Sequence, residues 1–151
     1  MGDTMGIVSM KNQENEKWSV AEGEYDGMPL VIRLKTTLDK EITEGKYNYR
    51  VGIAIPLLHP TKNGLPTKEE NDILLLMEDD IEALLLQNRG VLSSVVTTGN
   101  MKEFMMYVES DNIENLIGAL KEKNPGYQIQ YYVKEDGEWD GYKHLQSKFG
   151  I

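Results

Sequence analysis

Between residues 68 and 88 (KEENDILLLMEDDIEALLLQN) the apolar positions recur at helical spacing. At about 100° per residue, Ile73, Leu74, Met77, Ile81, Leu84 and Leu85 fall in one stripe roughly 120° wide, the width of a core-facing helix surface. Thr67 stands before this run as an N-cap and Glu70 follows three residues later, the spacing of a capping box. Glu69, Glu70 and Asp72 set negative charge against the positive end of the macrodipole, and Arg89 and Gly90 supply a cation and a left-handed stop. The pattern predicts a helix over 68–88. Leu75 and Leu86 project away from the stripe, beside Asp79 and Glu82, and so call for a second cover. That cover is either the N-terminal residues or the segment after Tyr142 folding back, or a protein partner such as another copy of the chain.

Elsewhere the period changes to two. Trp18 to Glu24, the turn Tyr25-Asp26-Gly27, and MPLVIRLK with Leu30, Ile32 and Leu34 inward predict an N-terminal hairpin. The clearest strand is 47–58, where Tyr47, Tyr49, Val51, Ile53, Ile55 and Leu57 alternate with polar or small residues. VLSSVVTT, the turn pair Gly99-Asn100 and MKEFMMYVES predict a second hairpin whose inward face the alternation leaves open. Asp111 with Glu114 repeats the capping spacing, Ile113, Leu116, Ile117 and Leu120 form one stripe, and Asn124-Pro125-Gly126 ends that helix. Tyr127, Ile129, Tyr131 and Val133 alternate in a last strand before the acidic turn EDGEWDGY.

Strand 47–58, helix 68–88, strands 91–98 and 101–109, helix 112–123 and strand 127–134 spell β-α-β-β-α-β. The expectation is an α+β, ferredoxin-like antiparallel sheet with two helices on one face, plus an N-terminal β-hairpin. Residues 1–16, polar after Met10, are expected as a flexible tail, and 17–151 as a single α+β domain.

Composition acts mainly by exclusion. With 16 Lys plus Arg against 25 Asp plus Glu, the net charge is −9, which repels phosphate backbones and anionic lipid, so neither nucleic acid nor membrane is an expected partner. The chain has no cysteine, which removes disulfides, thiolate metal sites and Cys nucleophiles. No run approaches 18 apolar residues and the first seventeen lack the core of a signal peptide, so a soluble cytoplasmic protein is expected.

Candidate chemistry is sparse, and no catalytic residue, metal or cofactor is predicted. His59 and His144 are the two histidines and belong to no metal-ligand pair. Glu78, Asp79 and Asp80 point about 100° apart on a helix and cannot converge on a cation. Ser93 and Ser94 sit on a strand without a nucleophile elbow. TKNGLPTK lacks the spacing of a phosphate-cradling loop. In the turn 136–141, acidic groups at relative positions one, three and five with Gly at six imitate the start of a calcium loop. Position twelve is Ser147, so the bidentate ligand is missing. Trp139 and Tyr142 in that turn are expected to pin the C-terminus to the sheet.

Trp18, the turn Asp26-Gly27 with Pro29 and Arg33, the loop Asn63-Gly64-Leu65-Pro66 with Glu70, Tyr107, and the spacing of Asp136, Trp139 and Tyr142 together resemble the bacterial domain-of-unknown-function family 695 over about 17–142. That resemblance implies a small soluble protein of no established activity. The family's occasional fusion to a ribonuclease-E-inhibitor-like domain implies regulation by protein contact. Two function classes follow. One is a non-catalytic protein-interaction or regulatory module with Leu75 and Leu86 as interface candidates. The other is a small-ligand-binding protein or enzyme with a pocket between the N-terminal hairpin and the C-terminal acidic and aromatic turn. There Arg33 would hold an anion, and Tyr107, Asp136 and Trp139, with Tyr142 beside them, would form the lining.

Overall fold

In a computed structural model of the chain, residues 6–12 and 18–150 are described, 6–12 and Phe149 by their backbone only. In chain order the elements are β1 (Gly6–Asn12), β2 (Trp18–Tyr25), β3 (Met28–Lys35), α1 (Asp39–Glu44), β4 (Tyr49–Pro56), α2 (Lys68–Gln87), β5 (Gly90–Thr98), β6 (Met101–Val108), α3 (Glu114–Lys123), β7 (Gln130–Glu135) and α4 (Asp140–Phe149). The fold is α+β, with every neighbouring strand pair antiparallel. No helix of the described residues is long and apolar enough to cross a membrane.

The sheet departs from the four-strand plan expected above. It has seven strands in the order β1-β2-β3-β5-β6-β4-β7, because the N-terminal strands continue it past β5 instead of standing apart as a hairpin. Residues 6–12, expected within a tail, form β1 on that edge, paired with β2. The rest of the expected tail, 1–5 and 13–16, lies outside the described residues. Both hairpin turns were legible. Asp26-Gly27 (φ 55° and 80°) and Gly99-Asn100 (φ 58° and 69°) are each left-handed at both positions, the twist that suits a two-residue hairpin loop.

A second correction concerns the layers, since helices cover both sheet faces. Val51, Ile53, Ile55, Phe104, Met106 and Val108 meet the α2 and α3 side chains Leu74, Met77, Ile81, Leu116 and Leu120 on one face. On the other face Leu34, Met105 and Tyr107 meet Leu38 and Ile42 around α1 and Trp139, Tyr142 and Leu145 around α4. This is why MKEFMMYV reads as one apolar run, for β6 is buried on both sides. The face of β5 was ambiguous for a related reason. A register shift between Leu92 and Ser94 breaks the alternation, so that Leu92 and Val95 both point toward α2.

α2 begins where expected, with the Thr67 hydroxyl accepting from the Glu70 amide at 3.2 Å. The Glu70 side chain, however, does not close a capping box. It is buried and accepts from the Leu58 and His59 amides and the Tyr127 hydroxyl, at 2.7, 2.8 and 2.8 Å, tying the 57–67 loop and the α3–β7 connection to the helix. Burial opposes its charge, but these donors outweigh burial and hold the carboxyl below the usual range. The left-handed stop falls on Arg89 (φ 52°), not Gly90. α3 starts at Glu114 without a side-chain cap, in place of the expected Asp111–Glu114 box. α1 and α4 were not predicted: α1 is only six residues long, and α4 follows an acidic turn.

Candidate functional site

Four of the five residues expected to line a pocket come together, but in a buried cluster. Asp136, at 7% exposure the most open of them, accepts from Tyr107 Oη (2.7 Å), Arg50 Nη1 (3.0 Å) and the amides of Asp140 (2.7 Å) and Gly141 (3.0 Å). Burial would raise its carboxyl. The Gly141 amide, the Tyr107 hydroxyl, the Asp140 amide and the Arg50 charge together bring it below the ordinary range. Burial first, then the hydrogen bond to Asp136, pushes the Tyr107 phenol well above its usual value. Burial, followed by the charge of Asp39, moves Tyr142 up to about 12.

Trp139 adopts a left-handed conformation (φ 59°) just before α4, donates Nε1–H to the Tyr47 carbonyl at 2.9 Å, and stacks on Tyr107 at 3.9 Å between ring centroids. Tyr142 meets Trp139 edge-on at 5.5 Å. These contacts anchor the start of α4 and use up the carboxylate that imitated a calcium ligand. Among the described residues no three His, Cys, Asp or Glu side chains are grouped to hold a metal.

Arg33, the fifth residue, points to the opposite face. It donates through both Nη atoms to Glu78 of α2 and lies over the Trp18 ring at 4.9 Å. Leu75 and Leu86 also part company. Leu75 is 43% exposed beside Arg33 in a cavity under the start of α2, whereas Leu86 is 84% exposed. The segment after Tyr142 does not cover them, since α4 packs on the other side of the sheet.

A groove does lie between the N-terminal strands and α4, with a lining different from the expected one. It consists of two cavities of about 240 Å³ each that share Val96, Glu103 and Leu145. One half is lined by Tyr25, Leu30, Ile32 and Thr98 and is largely apolar. The other is lined by Arg50, Ser94, Tyr132 and His144.

Two glycines make room for the half that carries Arg50, Ser94, Tyr132 and His144. A Cβ at Gly52 would run into the Tyr132 ring and the Glu103 carboxylate, and one at Gly141 would run into the Arg50 guanidinium. The missing side chain at 52 thus lets Tyr132 of β7 reach across β4 toward the Glu103 carboxylate of β6 and the Arg50 guanidinium. Burial raises the Glu103 carboxyl, against the Tyr132 hydrogen bond and the Arg50 charge. Three buried side-chain polar atoms among the described residues have no hydrogen-bond partner, and two of them, Ser94 Oγ and Arg50 Nε, belong to the lining of this half.

Sequence reading missed this site because its residues come from four strands and a helix that was not foreseen. Its one visible signal was Gly52 in the middle of the clearest strand, where a glycine marks a close approach. Neither curated proteins nor solved structures give a match to the chain. The sequence profile described as "Family of unknown function (DUF695)" does match, over residues 16–145, and the chain therefore belongs to that family.

Proposed function

We propose that the protein binds a small amphipathic molecule in the groove between the β2–β3 hairpin and α4. The observation that carries this reading is the pair of orphaned donors, Ser94 O–H and Arg50 Nε–H, at one end of a groove whose other end is apolar. A buried donor without a partner costs about 1–3 kcal/mol, and a ligand oxygen that accepts from either one as the lining opens around it would relieve that cost. Arg50 is already held in place by Asp136, so the head-group contact is preorganised. The nearby Glu103 carboxyl favours a neutral oxygen head, a hydroxyl or carbonyl, over an anionic one. The apolar end of the ligand would lie against Leu30, Ile32 and Leu145.

Calorimetric titration with octanol, octanoate and octylamine tests this. Octanol should bind saturably, octanoate more weakly, and octylammonium, which offers no acceptor, at least tenfold more weakly than octanol. Leu145→Arg, which fills the part common to both halves, should abolish octanol binding. No saturable binding of octanol, or equal binding by the Leu145→Arg variant, contradicts the proposal.

The partner-binding reading, which rests on Leu75 and Leu86, keeps one supporting observation, their exposure on α2 (43% and 84%). Light scattering that gives a mass above one chain would support it. The finer, ferredoxin-like reading of β4 to β7 is supported by the neighbour order β7-β4-β6-β5 with α2 and α3 on one side.

A further inference from the structure

On the sheet face opposite the groove, a cavity of about 370 Å³ lies under the start of α2. β3, β5 and β6 form its floor, with Arg33, Val95 and Lys102 among the lining, and Leu65, Lys68 and Leu75 contribute from the loop and the helix above. Every charged residue of the lining is basic, namely Arg33, Lys68 and Lys102, in a chain of net charge −9.

Lys102 is the unusual member. It is 5% exposed, and none of the ion pairs among the described residues includes it, so no carboxylate there lies within 4.0 Å of its ammonium. Glu78, the carboxylate whose charge acts on it, is engaged by Arg33. Burial, then the neighbouring Arg33, brings the Lys102 amine down to about 8 against the opposing pull of Glu78. Lysines are almost never fully buried unless paired, and this one faces a space a small molecule can enter. The start of α2 adds to the field. Thr67 Oγ1 takes the Glu70 amide and Thr67 O the Asn71 amide, so the amides of Lys68 and Glu69 precede the first intrahelical bond at the positive end of the helix.

We propose that this cavity binds the oxyanion end of a small organic phosphate, with Lys102 as its principal charged contact, Arg33 and Lys68 as flanking charges, and Leu65, Leu75 and Val95 against the organic part. The phosphate supplies the countercharge that the fold withholds from Lys102, and the cavity is wide enough for a metabolite-sized body as well as the ion.

Phenyl phosphate and inorganic phosphate are the probes, titrated calorimetrically at pH 7. Phenyl phosphate should bind saturably and at least tenfold more tightly than inorganic phosphate, because of the apolar lining. Lys102→Met and Lys102→Gln should each weaken it at least tenfold, with folding checked by circular dichroism. The charges acting on Lys102 are Arg33 from β3 and Glu78 from α2, its ammonium lies 6.0 Å from the centre of the Phe104 ring, and Lys68 lines the same cavity. As Lys102 loses its proton between pH 7 and 9.5, phenyl phosphate binding to the native chain should weaken, while the Lys102 variants stay weak and flat. Octanol binding on the other face should be the same in all three chains. Absence of saturable phenyl phosphate binding at pH 7, affinity within twofold in both folded variants, or a flat pH profile for the native chain overturns the proposal. Inorganic phosphate binding as tightly as phenyl phosphate overturns its organic part.

Discussion

Replacing Lys102 with Met should make the protein more stable, and the size of the effect follows from the site. The amine falls from 10.5 to about 8 on folding, chiefly through burial. The protonated form is therefore disfavoured in the fold by about 3 kcal/mol relative to the unfolded chain. Methionine has a similar length, no charge to desolvate and apolar neighbours in Val95 and Leu75, so at pH 7 Lys102→Met should gain on the order of 1–3 kcal/mol.

The sign with pH is equally definite. Because the folded-state value is lowered, between pH 8 and 10.5 the unfolded chain holds more protons than the folded one, and stability rises with pH as the native chain passes through about 8. The gap between variant and native chain should therefore narrow from pH 7 to pH 9.5. Urea unfolding followed by tryptophan fluorescence at several pH values reads both effects, and stopping at 9.5 keeps the tyrosines out of the comparison. A variant less stable than the native chain at pH 7, or a gap that widens with pH, would show Lys102 to be paired.

Two further outcomes are expected. Trp139→Ala removes a ring that is 1% exposed, stacked on Tyr107 and bonded to the Tyr47 carbonyl, and should cost about 3–5 kcal/mol, read as a lower urea midpoint. Glu70→Gln should cost about 1.5–3 kcal/mol at pH 7, since it weakens charge-assisted bonds to Leu58, His59 and Tyr127. The Glu70 carboxyl is lowered in the fold, so its contribution is complete above the unfolded value of 4.5 and is lost as pH falls through the folded value. The difference between the native and Glu70→Gln chains should then shrink in acid.

Helix 68–87, the two hairpin turns and strand 49–56 could be read from the chain because each carries its own local signal: a cap and stripe, paired left-handed residues, a strict alternation. The stripe itself was read slightly out of phase. Ile73 is 47% exposed, while Glu70 and Glu78 occupy buried positions, because their partners Tyr127 and Arg33 arrive from elements distant in sequence. Long-range pairing likewise decides the fate of the predicted site residues. Tyr107, Asp136, Trp139 and Tyr142 were rightly grouped, but as an anchor in which each polar atom is consumed by the fold. Arg33 was separated from them by the parity of its strand: Leu30, Ile32 and Leu34 turn toward α4 and Arg33 toward α2. The groove was illegible because α4 was read as a turn and because the bulge in β5 determines which way Ser94 faces.

Two-dimensional NMR of the methyl groups during a titration with octanol shows whether the groove between the β2–β3 hairpin and α4 takes an amphipathic ligand. Saturable shifts are expected at Leu30, Ile32, Val96 and Leu145, the groove methyls, with Leu76 and Leu86 on the far side of α2 unmoved. Shifts confined to α2, or none at ligand concentrations that approach octanol's solubility, would contradict ligand binding in the groove.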